Sequence, residues 1–568
     1  MRFFLLFFFS VHTLWPSSAD YLRKIHAHWM IEDCKAATIV AKEAFDLFPE
    51  NKEIHETYII CLAKSHAIDD AIASYALLEE ESPPVLEEIA WGILEKGQTS
   101  SQYAIRLQAL HAAYFAQDRR SVKSLLHTME DENAILRSIA IQLASRYRDE
   151  SLKRAVQGLL YQEQNWLVRS ELIQAAGKMQ LKRVSPYLEN LLDSERATFE
   201  EKELAMRALV SMYEDMDGEK IARFANSPKA LIRQLACKVA QRLEKEEVRD
   251  AILPLLTDER SEVRIAALQA LTWVFAKAMS NEERSCALAK PLQDLDPAVA
   301  ITAAWAATLM GQKKGLERLE EALISSSQNK RRLASGAIAA LGDRASTLAE
   351  KYLASSFDPY VRVHLALALL GQRRASLQVR DTLYEFLMEK TTLLQYGPYK
   401  GTPFTLFQPS DVPYVPQIPN YPLVIDECAQ LQLLSFLAIL QDSRAPFAMQ
   451  KFLCKSSWGI SAMASSLLLQ EGNEESLDLI RMLLDQDNVT VRLQAAIVLA
   501  YLGKEQQGID VLQSSYQDAN RHNKQKILEA LSQIATRKDA SFFLHALEEP
   551  LESLRILAAS GLIQCLKR

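Results

Sequence analysis

The sequence predicts an all-α chain folded as an α/α superhelix, and three observations carry that prediction. A short pattern recurs along most of the chain: an apolar residue, then Arg, then an Ala-rich stretch ending in Leu. Its copies fall about 31–32 residues apart, which is room for two helices and their turns. Glycine (17) and proline (19) are scarce in 568 residues, which suits long runs of helix and argues against sheets needing many tight turns. A chain of this length exceeds one ordinary compact core, whereas an array of repeats lengthens without thickening.

The N-terminus, residues 1–19, reads as a signal peptide. Met1-Arg2 supplies a positive start, and Phe3 to Phe9 with Val11 and Leu14 an apolar core. Ser17-Ser18-Ala19 then offers the small residues a signal peptidase requires, placing the cut before Asp20. The apolar run is shorter than the ~20 residues that span a bilayer, and no later segment supplies a transmembrane helix in the mature chain. The expected location is therefore exported: periplasmic, outer-membrane-associated or secreted.

Residues 20–100 carry a different period. Ala37, Ala41 and Ala44 precede Phe48-Pro49, and Ala71, Tyr75 and Leu78 precede Pro83, with Pro49 and Pro83 34 residues apart. This segment resembles tetratricopeptide (TPR) helix pairs.

The clearest copies of the main pattern are Ile105-Arg106, Leu136-Arg137, Val168-Arg169, Ile232-Arg233, Val263-Arg264, Val361-Arg362, Val491-Arg492 and Leu554-Arg555. Degenerate copies fall near Lys202, Ala300, Arg332, Ser461 and Lys526. In Val263-Arg264-Ile265-Ala266-Ala267-Leu268-Gln269-Ala270-Leu271, small Ala residues let neighbouring helices approach, while Leu268 and Leu271 fill space between layers. Over residues 101–395 and 424–568 the chain resembles the HEAT-repeat family, specifically the short bacterial units also found in bilin-lyase-like proteins. The resemblance implies an armadillo/HEAT-type solenoid in which an acid in the turn bonds this Arg and stitches consecutive repeats. Asp131, Asp258, Asp358 and Asp487 each precede an Arg by about four to six positions, which suits that scheme. The Arg ladder is accordingly read as structural, since the planar five-donor fork matches carboxylates and helix-end carbonyls.

Residues 396–423 interrupt the array. Pro409, Pro413, Pro416, Pro419 and Pro422 exclude helix and favour extended, polyproline-like chain. Tyr396, Tyr399, Phe404, Phe407, Tyr414 and Tyr421 are costly to expose together, so they pack somewhere. Two readings stand: the loop folds back over the protein's own groove, or it is a partner-binding arm. The last helix, about 552–566, is a second candidate. It places Leu554, Leu557, Ala558, Gly561, Leu562 and Cys565 on one face. Terminal repeats normally turn a polar face outward, so this one leaves a docked partner, self-association or a chance apolar end as readings.

The net charge of −7 opposes generic binding to nucleic acid or anionic membrane. The cysteines (Cys34, Cys61, Cys237, Cys286, Cys428, Cys454, Cys565) follow no C-x-x-C spacing, so neither a disulfide framework nor a zinc site is read. His26 and His28 have no carboxylate or Cys at metal-site spacing, and His55-Glu56 is a single dyad. No catalytic residue, cofactor or metal is therefore assigned. The function read from the sequence is a non-enzymatic protein–protein interaction adaptor of the bacterial cell envelope or secreted space. The alternative is a HEAT-like lyase or chromophore-handling enzyme; a nucleic-acid-binding solenoid stands third.

Overall fold

A computed structural model describes residues 17–389, 391–410, 423–445, 447–448, 478, 480–485, 487–500, 505–534 and 536–567. The signal-peptide core, Tyr414 and Tyr421 lie outside these residues. Helices come first in chain order: α1 (Ser18–Met30), α2 (Cys34–Leu47), α3 (Lys52–Lys64), α4 (Ile68–Tyr75), α5 (Pro83–Gln98), α6 (Tyr103–Ala116), α7 (Arg119–Thr128) and α8 (Ala134–Ala144). They continue as α9 (Glu150–Leu160), α10 (Trp166–Lys178), α11 (Ser185–Asp193), α12 (Phe199–Met212), α13 (Gly218–Ala225), α14 (Ala230–Arg242), α15 (Arg249–Ile252) and α16 (Ser261–Trp273). Next are α17 (Asn281–Ala289), α18 (Pro297–Leu309), α19 (Lys313–Leu323), α20 (Gln328–Leu341), α21 (Ser346–Leu353), α22 (Pro359–Leu370) and α23 (Leu377–Glu389). A hairpin, β1 (Leu394–Pro398) and β2 (Thr405–Pro409), precedes α24 (Leu423–Ile439), α25 (Val489–Val498), α26 (Gln506–Ser515), α27 (Arg521–Ile534), α28 (Ala540–Ala546) and α29 (Glu552–Lys567).

The described residues form two compact units, one from residues 1–140 with 513–568, the other from residues 141–512. In the second unit α10, α12, α14, α16, α18, α20 and α22 pack side by side in sequence order, each paired with a shorter helix before it. Their starts are capped where the sequence supplies side-chain acceptors. Thr198 and Glu201 form a capping box on α12, Asp296 caps α18 ahead of Pro297, and Asp358 caps α22 ahead of Pro359. Alanines and β-branched residues along these helices are fully buried, as at Ala267, Ala303, Ala304 and Ala337. Close helix approach without large side chains is the result.

Arg106, Arg137, Arg169, Arg233, Arg264, Arg362, Arg492 and Arg555 are each the fourth residue of their helix. Three of them, Arg106, Arg233 and Arg264, share one geometry. Nη1 of Arg264 donates to the carbonyls of Asp258 (2.8 Å) and Glu259 (3.2 Å) in the turn before its own helix, and Nη2 donates to Asp294 of the next repeat (2.9 Å). Arg233 does the same with Ser227 and Pro228 behind and Asp258 ahead, and Arg106 with Ser100 behind and Asp131 ahead. A cation near a helix start opposes the dipole; folding the fork back onto carbonyls left open by the preceding turn converts it into a cap. Asp131 and Asp258 are thus shared: the carboxylate takes the Arg of the preceding repeat, and the carbonyl takes the Arg that follows. The Asp258 carboxylate is also engaged in its own turn, where the amide of Arg260, the N-cap residue of α16, donates to it (2.9 Å). Arg169 pairs with the buried Glu201, Arg362 with Glu385 on α23 (2.9 Å), and Arg492 lies on α25. In α20 the turn-capping role belongs to Arg331, and its neighbour Arg332 reaches Asp358 (3.0 Å). Arg264→Lys keeps the charge but loses the fork, and is expected to cost about 1–2 kcal/mol in a chemical melt. An unchanged midpoint would remove the capping role.

In the first unit, α1 to α3 pack in succession around Ile25, Ala37, Ala41 and Cys61. The same unit contains the chain's last repeat. Helix α29 packs on α27 and α28 on one side and on α5 and α6 on the other. Ile556 fills the space over Gly97, where a Cβ would come within 2.8 Å of it. Arg555 continues the ladder by pairing with Asp69 of α4 (2.7 Å), so N-terminal helices stand where a following repeat would. Lys567 donates to the carbonyl of Ala116 (2.8 Å) and pairs with Asp118 (3.0 Å), closing the C-terminal end of α6. The apolar residues of α29 are buried in this arrangement. Self-association through this helix therefore requires it to leave α5 and α6.

Candidate partner-binding face

The Pro/aromatic interruption folds as an antiparallel hairpin in register Leu394↔Pro409, Tyr396↔Phe407 and Pro398↔Thr405. Its tip carries Lys400 and Gly401 at positive φ (43° and 76°), closed by the amide of Thr402 donating to the carbonyl of Tyr399 (2.8 Å). The hairpin lies on the repeat helices of its own unit, with β2 against α20 and α22 and β1 against α24. Leu394, Phe404, Leu406 and Phe407 are buried. Tyr396 stacks on Phe407 (4.3 Å between ring centres) with its outer edge exposed, and Tyr399 lies at the tip under Lys400. Of the six aromatic candidates, Phe404 and Phe407 are seats of the hairpin, and Tyr396 and Tyr399 form part of its accessible side.

Three groups of the repeat face hold it. Gly336 on α20 leaves the space that Leu406 fills, and a Cβ there would collide with that leucine. The Gln269 amide on α16 donates to the carbonyl of Gly401 (2.7 Å). His364 on α22 accepts from the amide of Phe407 through Nε2 (2.8 Å) and meets Ser335 Oγ through Nδ1 (2.9 Å). Ser335 donates its own proton to the carbonyl of Arg332 (2.8 Å), so it accepts from Nδ1–H and the tautomer of His364 is fixed. Burial holds His364 far below the ordinary histidine range, at about 3, so the ring is neutral.

Each hairpin edge is partly closed to a further strand. The outward amide of Leu394 donates to Asp426 (2.8 Å), that of Phe407 to His364, and Pro398 and Pro409 have no N–H to give. Beside β2, α20, α22 and α23 enclose a cavity of about 450 Å³. Its walls include Arg332 stacked on Tyr360 (4.1 Å), the Arg362–Glu385 pair and Phe386. The buried hydroxyl of Thr382 has no partner among the described residues there. Its two guanidinium groups are each paired with a carboxylate, and most of its lining residues are polar, with Pro359, Tyr360, Phe386 and Pro409 as the apolar part. Among the described residues no group of three or more His, Cys, Asp or Glu side chains is placed to hold a metal, and no helix is long and apolar enough to cross a membrane.

Sequence reasoning singled out this segment as extended, polyproline-like chain; residues 394–409 instead pair as a β-hairpin, and its seat was not foreseen. The available signals were a histidine inside the apolar run Val361 to Leu370, and a glycine at the centre of α20.

The repeat build defines an α-solenoid, and its helices α20 and α22 seat the chain's own hairpin. The HEAT-repeat family model matches residues 122–209 and 476–563, so the chain contains HEAT repeats. No curated protein sequence matches it. Among solved structures it is similar to Kap95p in its complex with RanGDP (14% identity, 96% of this chain and 79% of that one, TM-score 0.36). It is also similar to the UNC-45 chaperone (12%, 92% and 72%, TM-score 0.34). A third likeness is to the CpcE–CpcF phycocyanin lyase of Nostoc sp. PCC7120 (17%, 54% and 94%, TM-score 0.23). Likenesses of this size do not extend to activity.

Proposed function

We propose that the protein is a non-enzymatic interaction scaffold of the bacterial cell envelope or secreted space, which holds an extended polypeptide segment of a partner on the repeat face of residues 141–512. One observation carries the reading. The face already holds seventeen residues of extended-and-turned chain, 394–410, through the Gln269 side-chain amide donating to the Gly401 carbonyl, the His364 ring accepting from the Phe407 amide and the space over Gly336. A repeat surface suits such binding because successive helices present equivalent positions along a long chain. Export rests on the N-terminal sequence alone, from Met1-Arg2 through Ser17-Ser18-Ala19.

The test is site-specific photocrosslinking of the full chain in its native cells, with the reactive residue at Gln269, at Tyr399 or at the exposed Lys314 of α19. Adducts of one discrete mass from the first two positions and none from Lys314 are expected, on a protein recovered outside the cytoplasm whose mass begins at Asp20. Equal labelling from all three positions, or none, overturns the scaffold; a cytoplasmic chain with residues 1–19 retained overturns the location.

A further inference from the structure

Helix α20 carries two adjacent arginines, Arg331 and Arg332, and they divide the work that Arg106 and Arg233 each do alone. In Arg106 and Arg233, Nε and Nη2 donate to the aspartate ahead and Nη1 to the carbonyls behind. In α20 the carbonyls behind are taken by Arg331, and Arg332 reaches Asp358 through Nε alone (3.0 Å). Its guanidinium lies over the Tyr360 ring, which fixes the plane and leaves the Nη edge open. Neither Nη has a hydrogen-bond partner among the described residues.

That open edge borders the cavity of about 450 Å³ enclosed by α20, α22 and α23 beside β2. Two more groups on its wall are under-used. Arg362 gives only Nη2, to Glu385 (2.9 Å), and does not fold back on the turn before its helix. Thr382 is 3% exposed, and its hydroxyl is unpaired among the described residues. Buried polar groups are nearly always bonded. An unbonded hydroxyl beside two part-used guanidinium groups therefore points to a ligand that brings acceptors.

Charge narrows the ligand. Arg332 and Arg362 are balanced by Asp358 and Glu385, whereas Glu389, exposed on the same cavity, is in no ion pair among the described residues. A simple anion would add to the unbalanced charge of Glu389. A simple cation would leave the guanidinium edges and the Thr382 hydroxyl unpaired. A molecule with a carboxylate at one end and an ammonium at the other serves both and adds no net charge. The volume suits a small molecule, and Phe386 and Pro409 offer apolar wall for its side chain.

We propose that this cavity binds a zwitterion of the amino-acid class, free or as a short peptide. Its carboxylate lies toward the open N–H groups of Arg332 and Arg362 and the Thr382 hydroxyl, and its ammonium toward Glu389. The site needs no partner protein, so it stands or falls separately from the scaffold.

The test melts the full chain with each common L-amino acid, and with each dipeptide in which it follows alanine, at about 5 mM. At least one is expected to raise the midpoint. A rise with an amino acid gives the free molecule as the source, and a rise with dipeptides alone gives the short peptide. No rise from either set overturns the site. Isothermal titration then compares the best binder with its C-terminal amide and its N-acetyl form, each expected to bind about tenfold more weakly. Thr382→Val and Glu389→Gln are each expected to weaken the zwitterion about fivefold. Glu389→Gln should leave the affinity of the N-acetyl form unchanged, and Arg332→Lys that of the amide, because the group each would meet is already gone. Without ligand, Thr382→Val is expected to melt no lower than the wild type, since it removes an unpaired buried hydroxyl and no bond. Capped forms that bind as well as the parent, or variants that weaken capped and uncapped ligands alike, overturn the assignment.

Discussion

In His364→Leu, the amides of β2 are expected to exchange with solvent about 30-fold faster than in the wild type at pH 7, while the helices keep their protection. Leucine is near enough in size to keep the packing under the hairpin. What it removes is the acceptor for the Phe407 amide and the donor to Ser335. A buried amide left unpaired costs about 1–3 kcal/mol, and about 2 kcal/mol gives the stated rise in the open population. The same residue gives the docking a pH dependence whose sign is fixed. Burial holds its folded pKa at about 3, below the ordinary value near 6.5. The fold favours the neutral ring, so docking has full strength above about pH 6.5 and weakens as pH falls from there toward 3, by up to about 1.4 kcal/mol per unit. The charged groups facing the ring oppose each other: Asp358 draws the proton on, and Arg332 keeps it off. Protonation would also aim an Nε2–H at the Phe407 N–H. Exchange of the β2 amides measured from pH 7 to 4 checks both points. A wild type and a His364→Leu variant with the same pH slope would show that the histidine does not hold the hairpin.

Gly97→Val is expected to destabilise the first unit by about 3 kcal/mol and to loosen α5, α6 and α29 together. Even a Cβ at Gly97 would lie 2.8 Å from Ile556 Cδ1 and 3.1 Å from Ala109 Cβ, and valine adds two methyls to that crowding. Overpacking of this kind costs about 1–3 kcal/mol on its own. Lifting α29 also breaks the Arg555–Asp69 pair and the bonds from Lys567 to Ala116 and Asp118. Hydrogen exchange should lose protection over residues 83–116 and 552–567 in parallel, with 230–370 unchanged. Adding Ile556→Ala makes room and should recover most of the loss. If residues 552–567 loosen while 83–116 keep full protection, α29 is a passenger on the N-terminal helices and does not support them.

The repeat period was the most legible part of the fold, because each unit writes its own Arg, its Ala-rich stretch and its turn. The spacing alone puts Arg near the start of each second helix, though not as its fourth residue, since α16 begins at Ser261, two residues before Val263. Nor did it give the bonding: that the carboxylate of Asp258 serves Arg233 while its carbonyl serves Arg264 depends on how the turn from Asp258 to Arg260 folds, which the spacing cannot express. The hairpin was legible as a non-helical, proline-bounded segment rich in aromatics that must be buried. Its partners were not, since Gln269 and Gly401 are 132 residues apart and no local pattern joins them. The embrace of α29 by α5 and α6 was less legible still. An apolar terminal helix signals that something covers it, and the covering helices sit at the other end of the sequence.

That embrace sets a timetable for synthesis. The first unit takes its parts from both ends of the chain, and the 372 residues of the other unit are made in between. At about 5–20 residues per second, α5 and α6 leave the ribosome roughly 20–90 s before their last neighbour exists. Throughout that interval they present an uncovered apolar flank to whatever is nearby. A nascent chain in this state is open to chaperones and to threading, and becomes closed to both only when the final helix arrives.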